Sequence, residues 1–268
     1  MKNSGLQLLL LVQLLFCPVT EANAEPLQVL FHEFAPHSYL SQSGKAQGVL
    51  VELVEQVCKE WTGPCEVAIR PNRRAQFLFD TGEVPARFLA WNPDRAKNMW
   101  FSVPLVQTEY GFFSLKSYPI TELSQLAKST VGVYGPSNTA RSLNLQKQKL
   151  LDAKQLPFNT EVYVRGNELP LKMLQKKRFH AYYANREGGY FYAAQIGLKD
   201  LNFFSADRQV YYSIAFNKAY VPHQTVRQFN QLFAAMLLQG KLDAIYAKWH
   251  AKPAYLDPAV YQEMSIPY

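Results

Sequence analysis

The sequence predicts an α/β protein of two lobes joined by two crossing strands, with a cleft between the lobes. Strand-like and helix-like segments alternate along the chain, which favours largely parallel sheets with helices packed against them. An apolar strand ending at Lys116 leads out of the first set of elements, and VYYSIAF at 210–216 reads as a strand that returns to it. The chain thus crosses between lobes twice, near 111–117 and 208–216, and two lobes joined in this way form a hinge around a cleft.

The first set opens with LQVLF at 27–31, a strand followed by a loop carrying Phe34, Pro36, His37 and Tyr39 and by the turn Ser43-Gly44. Residues 49–61 place Leu50, Leu53, Val54 and Val57 on one helical stripe, with Gly63-Pro64 as its stop. A second strand at 66–70, a short helix at 73–80 ending at Thr81-Gly82, and a third strand at 88–91 complete a βαβαβ lobe. Next, Arg95 falls in a turn bounded by Pro93 and Asp94, ahead of Phe-Ser-x-Pro and the crossing strand.

The second set has a short helix at 120–126, a strand TVGVY at 130–134, and the polar turn 135–139 capping a helix at 140–151. A strand at 161–164, a helix at 169–177, a strand at 181–184 and a helix at 190–196 follow. After the returning strand, residues 225–249 form a long amphipathic helix broken at Gly240, with Phe229, Leu232, Phe233, Met236 and Leu237 on one face.

Composition narrows the classes. With 48% hydrophobic and 18% charged residues the chain is globular, and its formal charge of +7 mildly favours anionic ligands or envelope surfaces. No basic stripe, zinc finger or RNP-like aromatic motif accompanies that charge, so nucleic acid is not an expected partner. The densest basic run, 172–178, alternates with Leu171, Met173 and Leu174 and reads as a solvated helix face.

The start of the chain has the form of a secretory signal. Lys2 precedes an apolar run at 6–16, and Ala22-Asn23-Ala24 supplies a small-x-small cleavage site, so cleavage is expected after Ala24 and the product in the periplasm. A membrane anchor is the competing reading; the run is short for a span and contains Gln7 and Gln13. Phe16 before Cys17 is not the small residue a lipid-anchoring signal needs, so the processed chain is expected to be free of the membrane and monomeric. Cys58 and Cys65, in CKEWTGPC of an exported chain, are expected to pair, with two unpaired buried thiols as the alternative. Their spacing is not zinc-like, and His32 and His37 do not form a zinc-binding H-E-x-x-H, so no metal or cofactor is expected.

Four motifs in order resemble those of the family 3 extracellular solute-binding proteins. FAPHSYLSQSGKAQGVLVELVEQV is similar to the family's entry loop and first helix, and NPDRAKNMWFSVPL to its T-x-x-R plus F-S-x-P signature. STVGVYGPSNTA resembles its V-G-V-x-x-G-S-T turn, and FNQLFAAMLLQGKLDAIYAKW its terminal helices ending G-x-x-x-x-I-x-x-K-W. The resemblance implies the type II periplasmic binding fold, with lobe 1 at 25–113 plus 214–268 and lobe 2 at 114–213. It also implies a small-molecule ligand held in the cleft and handed to an ABC permease or a membrane sensor.

Physical chemistry assigns the positions. The guanidinium of Arg95 can pair bidentately with a carboxylate, as lysine cannot. Opposite it, the helix start at Ser137, Asn138 and Thr139 offers free N–H groups and hydroxyls to an anion. Phe34, Tyr39 and Trp91 can enclose the body of the ligand, and NRRAQFLFDTGE resembles the K/R-R-A-x-x-x-x-x-x-G segment of a less characterised branch, which implies Arg74 as a candidate second anion contact. Each has a plainer reading: Arg95 as a structural arginine, Ser137 and Thr139 as caps, and the aromatics as core.

Two departures bear on the ligand. Amino-acid binders of the resembled family place small hydroxyl residues where this chain has Phe88 and Ala90, and an aspartate where it has Asn185. An amide accepts a hydrogen bond but brings no charge to a buried ammonium. The expected function is capture of a small polar, carboxylate-bearing molecule, amino-acid-like or an organic acid, with no catalytic residues. Alternatives are an enzyme on the same scaffold acting on prephenate-like acids through His37, Glu33 or Glu187, and a ligandless interaction module whose cleft is filled by its own aromatics.

Overall fold

The computed structural model describes residues 26–164, 168–254, 258–264 and 266–268; the expected signal segment, 1–24, lies outside the described residues. Strand β1 (Leu27–Phe31), the short β2 (Tyr39–Leu40) and β3 (Ala46–Gln47), and helix α1 (Val49–Glu60) open the fold. Helix α1 buries Val49, Leu50, Val51, Leu53, Val54 and Val57, the stripe its spacing predicts. Gly48 starts it at φ 124°, and a Cβ there would stand 2.4 Å from the His37 carbonyl oxygen, so only glycine lets the entry loop lie so close.

Next come β4 (Cys65–Ile69), α2 (Asn72–Asp80), β5 (Ala86–Ala90), the single turn α3 (Pro93–Ala96) and β6 (Met99–Phe101). A disulfide joins Cys58 near the end of α1 to Cys65 at the start of β4, with their Cα atoms 5.1 Å apart. Strand β7 (Val106–Leu115) then crosses to the second set: β8 (Thr130–Tyr134), α4 (Asn138–Asp152), β9 (Asn159–Tyr163), α5 (Glu168–Gln175), β10 (Ala181–Asn185) and α6 (Arg186–Gln195). The helix expected at 120–126 is a 3₁₀ turn over Leu123–Leu126, held by reciprocal Glu122 and Gln125 caps. The helix expected from 190 begins at Arg186, because the Asn185 side chain accepts from Gly188 N at 2.8 Å and caps it.

Strand β11 (Leu201–Asn217) returns, followed by α7 (His223–Leu238), α8 (Asp243–Trp249) and α9 (Pro258–Glu263). The tail breaks at Gly240, φ +70°, as expected of a glycine that ends a helix in the left-handed region. The returning strand is longer than the expected 210–216. The polar run Ser205-Ala206-Asp207 interrupts its apolar pattern and coincides with register shifts between Ser205, Asp207 and Val210.

The strands form one sheet in the order β4-β1-β5-β11-β7-β10-β8-β9, with β6 on β11. Parallel pairs lie at both ends, β1 with β4 and β5, and β8 with β9 and β10. Between them β11 and β7 run antiparallel, and β11 pairs β5 along Tyr212–Phe216 and β7 along Leu201–Tyr212. The two crossing strands are thus a ribbon between two βα lobes. The Phe-Ser-x-Pro motif secures it: Phe101 is fully buried, Ser102 N donates to Ile214 O at 2.8 Å, and Ile214 N donates to Ser102 Oγ at 2.9 Å. From α7, buried Asn230 accepts from Val103 N at 2.8 Å and donates to Pro267 O at 2.6 Å.

Candidate functional site

The carboxyl ends of the parallel strands β1, β5 and β8 meet at a cavity of about 660 Å³ between the lobes, where α/β sheets place their ligands. On the lobe 1 side, His32 and Phe34 follow β1, and Arg87 to Ala90 come from β5. Beyond β5, Asn92 caps α3 by accepting from Arg95 N at 3.0 Å, which fixes the turn that presents Arg95. Arg95 Nη1 donates to Ala90 O at 2.6 Å. Among the described residues this is the only protein acceptor of its side chain, and the guanidinium lines the cavity.

Across the cavity, Tyr134 ends β8 and Ser137 caps α4, its hydroxyl accepting from Ala140 N at 3.0 Å and donating to Tyr134 O at 2.6 Å. That hydroxyl is fully used as a cap. Asn138 and Thr139 occupy the first turn of α4, where backbone N–H groups lack intrahelical partners and the helix dipole favours an anion. The lobes touch directly. Asn92 Nδ2 donates to Asn138 Oδ1 at 2.9 Å, Arg141 Nη2 to Asp94 Oδ2 at 2.9 Å, and Ala35 N to the Tyr192 hydroxyl at 3.3 Å.

The wall is aromatic, and the arginines Arg87 and Arg95 stand within it. Phe88 stacks with His32 at 5.2 Å and Phe34 at 6.0 Å between ring centroids, and meets Tyr212 edge-on at 5.3 Å. Burial, and then the charges of Arg87 and Arg95, push the His32 imidazole down to about 3, so it is neutral at working pH. Burial and the nearby Arg95 bring Arg87 down to about 10, with Asp80 pulling the other way. Burial also lowers Arg95, with Tyr110 opposing.

Of the residues singled out in the sequence, Phe34, Arg95, Ser137, Asn138 and Thr139 line this cavity. Arg74 does not: it lies exposed on α2, over the Phe77 ring at 5.3 Å. Tyr39 packs against Phe191 and Trp249, and Trp91 donates its Nε1 to Met264 O at 2.9 Å, tying β5 to the end of the chain. Asn185 lines a smaller adjoining cleft with Phe34, Tyr134 and Thr139, and its side chain is occupied. Its Oδ1 accepts from Gly188 N and its Nδ2 donates to Thr108 Oγ1 at 2.7 Å and Glu187 Oε2 at 3.2 Å. These bonds orient the amide, so His37 Nε2, 3.2 Å from Oδ1, carries the donated proton, and its buried Nδ1 has no partner among the described residues. Thr108 donates to Glu187, closing a network that binds the entry loop to lobe 2.

Sequence reasoning missed Arg87, His32, Asn92 and Tyr110. For Arg87 a signal was present, an arginine in the otherwise apolar strand ARFLA. The alternative catalytic candidates are placed otherwise: His37 is buried beside Asn185, Glu187 bonds Thr108 and Asn185, and exposed Glu33 accepts from Leu40 N at 3.1 Å. Among the described residues, no cluster of His, Cys, Asp and Glu could hold a metal, and no helix is long and apolar enough to cross a membrane.

A family model for bacterial extracellular solute-binding proteins, family 3, matches residues 27–252. The chain belongs to this family. This solute-binding protein has the family's two-lobed type II periplasmic fold, and solved structures superpose on it accordingly. A histidine kinase sensor domain with similarity to periplasmic binding proteins aligns with TM-score 0.73 and 16% identity, over 87% of this chain and 99% of the other. The substrate-binding protein of an ABC uptake transporter from Streptococcus pneumoniae, with bound histidine, gives 0.70 and 18% over 84% and 92%. An ancestral arginine-binding protein bound to arginine gives 0.70 and 20% over 84% and 97%. At such identities the likeness is one of fold. Among curated proteins no sequence match is found.

Proposed function

We propose that the protein is a periplasmic binding protein that captures a small polar, carboxylate-bearing molecule by hinge closure and delivers it to an ABC importer or a membrane sensor. One observation carries the reading: Arg95, with one protein acceptor among the described residues, faces a ligand-sized cavity opposite the start of α4. A guanidinium on one lobe and helix N–H groups on the other would clamp a carboxylate between them. The division into lobes, 25–113 with 214–268 and 114–213, falls within β7 and β11, so these strands would carry the hinge. Removal of the segment ending at Ala24 would release the protein into the periplasm.

Binding is favoured over catalysis. His32, the imidazole lining the main cavity, is held neutral by burial and two arginines and makes a poor proton acceptor, and His37 and Glu187 are engaged with each other's neighbours. A ligandless module would have its cleft filled by aromatics, whereas about 660 Å³ stays open. Isothermal titration and thermal-shift screening against amino and organic acids, with Arg95→Ala as control, test the proposal. Saturable binding lost in Arg95→Ala supports it; no stabilisation across the library, or binding unchanged in the variant, overturns it.

A further inference from the structure

A second arginine in the cavity has no counterpart to its charge. Arg87 is 4% exposed and lies in β5, where every residue is buried. Its Nη2 donates to Asn72 Oδ1 at 2.7 Å, and its buried Nε has no hydrogen-bond partner among the described residues. No carboxylate of the described residues lies within ion-pairing distance of Arg87 or Arg95. The acidic side chains at the cavity are otherwise placed: Asp94 is bonded to Lys97 and Arg141, Glu33 accepts from Leu40 N, and Asp80 is exposed on α2 and acts on Arg87 only at a distance. His32, between these charges and the Phe88 ring, adds no negative charge.

Tethering α2 through Asn72 does not require a guanidinium, since any neutral donor would serve. Arg87, buried, and Arg95, half-buried, are like charges in one cavity, which is costly in the empty protein, and each holds donors in reserve for an acceptor that the described residues do not supply. At Asn185, the polar atoms are consumed by Gly188, Thr108, Glu187 and His37, so its amide has no acceptor left for an ammonium.

We infer that the cavity takes a small dicarboxylate, one carboxylate on Arg95 and the start of α4 and the second on the cavity-lining guanidinium of Arg87, with the ligand body against Phe34 and Phe88. This rests on the carboxylate-capture reading above and specifies its ligand. The planar edge of a guanidinium offers two parallel N–H donors to one carboxylate, which favours this class over a single point anion.

The test measures affinity for matched pairs, a dicarboxylate and its monoamide, at increasing chain length: succinate with succinamate, glutarate with glutaramate, adipate with adipamate. For the unaltered protein, at least one dicarboxylate is expected to bind about tenfold more tightly than its monoamide. In Arg87→Gln that preference is expected to fall within about twofold. Arg87→Lys, which keeps the charge and loses the fork, is expected to lie between the two and serves if the glutamine variant does not fold. Equal binding of both members of every pair, or a preference that survives in Arg87→Gln or is undiminished in Arg87→Lys, overturns the inference. If monocarboxylates bind in an Arg95-dependent way with no gain from the second acid, only this inference fails; if no carboxylate or amino acid binds, the broader reading fails with it.

Discussion

Asn92 and Asn138, which both line the cavity, join the two lobes through a 2.9 Å bond between their side-chain amides. The side-chain oxygen of the same Asn92 caps the turn that carries Arg95, accepting its backbone N–H at 3.0 Å. One side chain therefore both aims the anchor and holds the lobes together, while Asn138 does only the second.

Asn92→Ala is expected to lower folding stability by about 1 kcal/mol through loss of the cap and to weaken ligand binding about tenfold. Asn138→Ala removes the cross-lobe bond and the contact with the Tyr110 hydroxyl but leaves the cap in place, and is expected to weaken binding only about threefold with a smaller change in unfolding midpoint. Denaturant unfolding and calorimetry on the two variants separate the two contributions. Equal effects on both measurements would show that the cap and the bridge are not distinct.

Arg95→Ala is expected to weaken binding by about 100-fold, the scale of a lost charge-assisted pair. Arg95→Lys should recover little of this, because lysine restores the charge without the fork that bonds Ala90 O and the ligand together. Full rescue by lysine would mean that the site reads charge alone.

Reducing the Cys58–Cys65 bridge, or replacing both cysteines by serine, is expected to cost about 2 to 3 kcal/mol of stability, the amount associated with closing a short loop. Ligand affinity should not change, since the bridge joins α1 to β4 away from the cavity. The unfolding midpoint with and without reductant measures the first, calorimetry the second.

Stability should depend on His32 at mildly acid pH. Its folded value of about 3 lies below the ordinary 6.5, so between these values the unfolded chain binds a proton that the folded chain refuses. The contribution is fully present above about 6.5 and is lost as the pH falls toward about 3. His32→Asn should flatten the fall of stability with pH across that window relative to the unaltered protein. Urea unfolding at a series of pH values gives the slope, and identical slopes would contradict the expectation.

The alternation of strands and helices, the crossing strands and the turn bearing Arg95 were legible because local signals carry them: glycine and proline stops, apolar stripes, and a Pro-Asp turn ahead of Phe-Ser-x-Pro. What escaped depends on partners distant in the chain. Trp91 stands one residue from the cavity-lining Ala90 and Asn92, but Met264, far along the chain, draws its indole away. Tyr39 follows the entry loop, and its ring is taken by Phe191 and Trp249. Asn185 stands at the strand end, where the sequence places it, but its role as the α6 cap and as the partner of His37 becomes visible only once lobe 2 has met the entry loop. Arg87 shows the same limit from the opposite side, since a buried Nε without an acceptor is a property of the packed molecule.

In the ribbon of β7 and β11, the pairing is regular on either side of an irregular stretch, where Asp207 stands opposite Tyr110 and the register slips again before Val210 meets Thr108. A regular ladder resists bending, and an irregular one yields where its bonds are already spaced unevenly. Tyr110 also lines the cavity, and Thr108 holds the amide of Asn185. The irregular stretch of the connection between the lobes therefore borders the cavity itself, so on the hinge-closure reading what fills the cavity would press directly on the joint that turns.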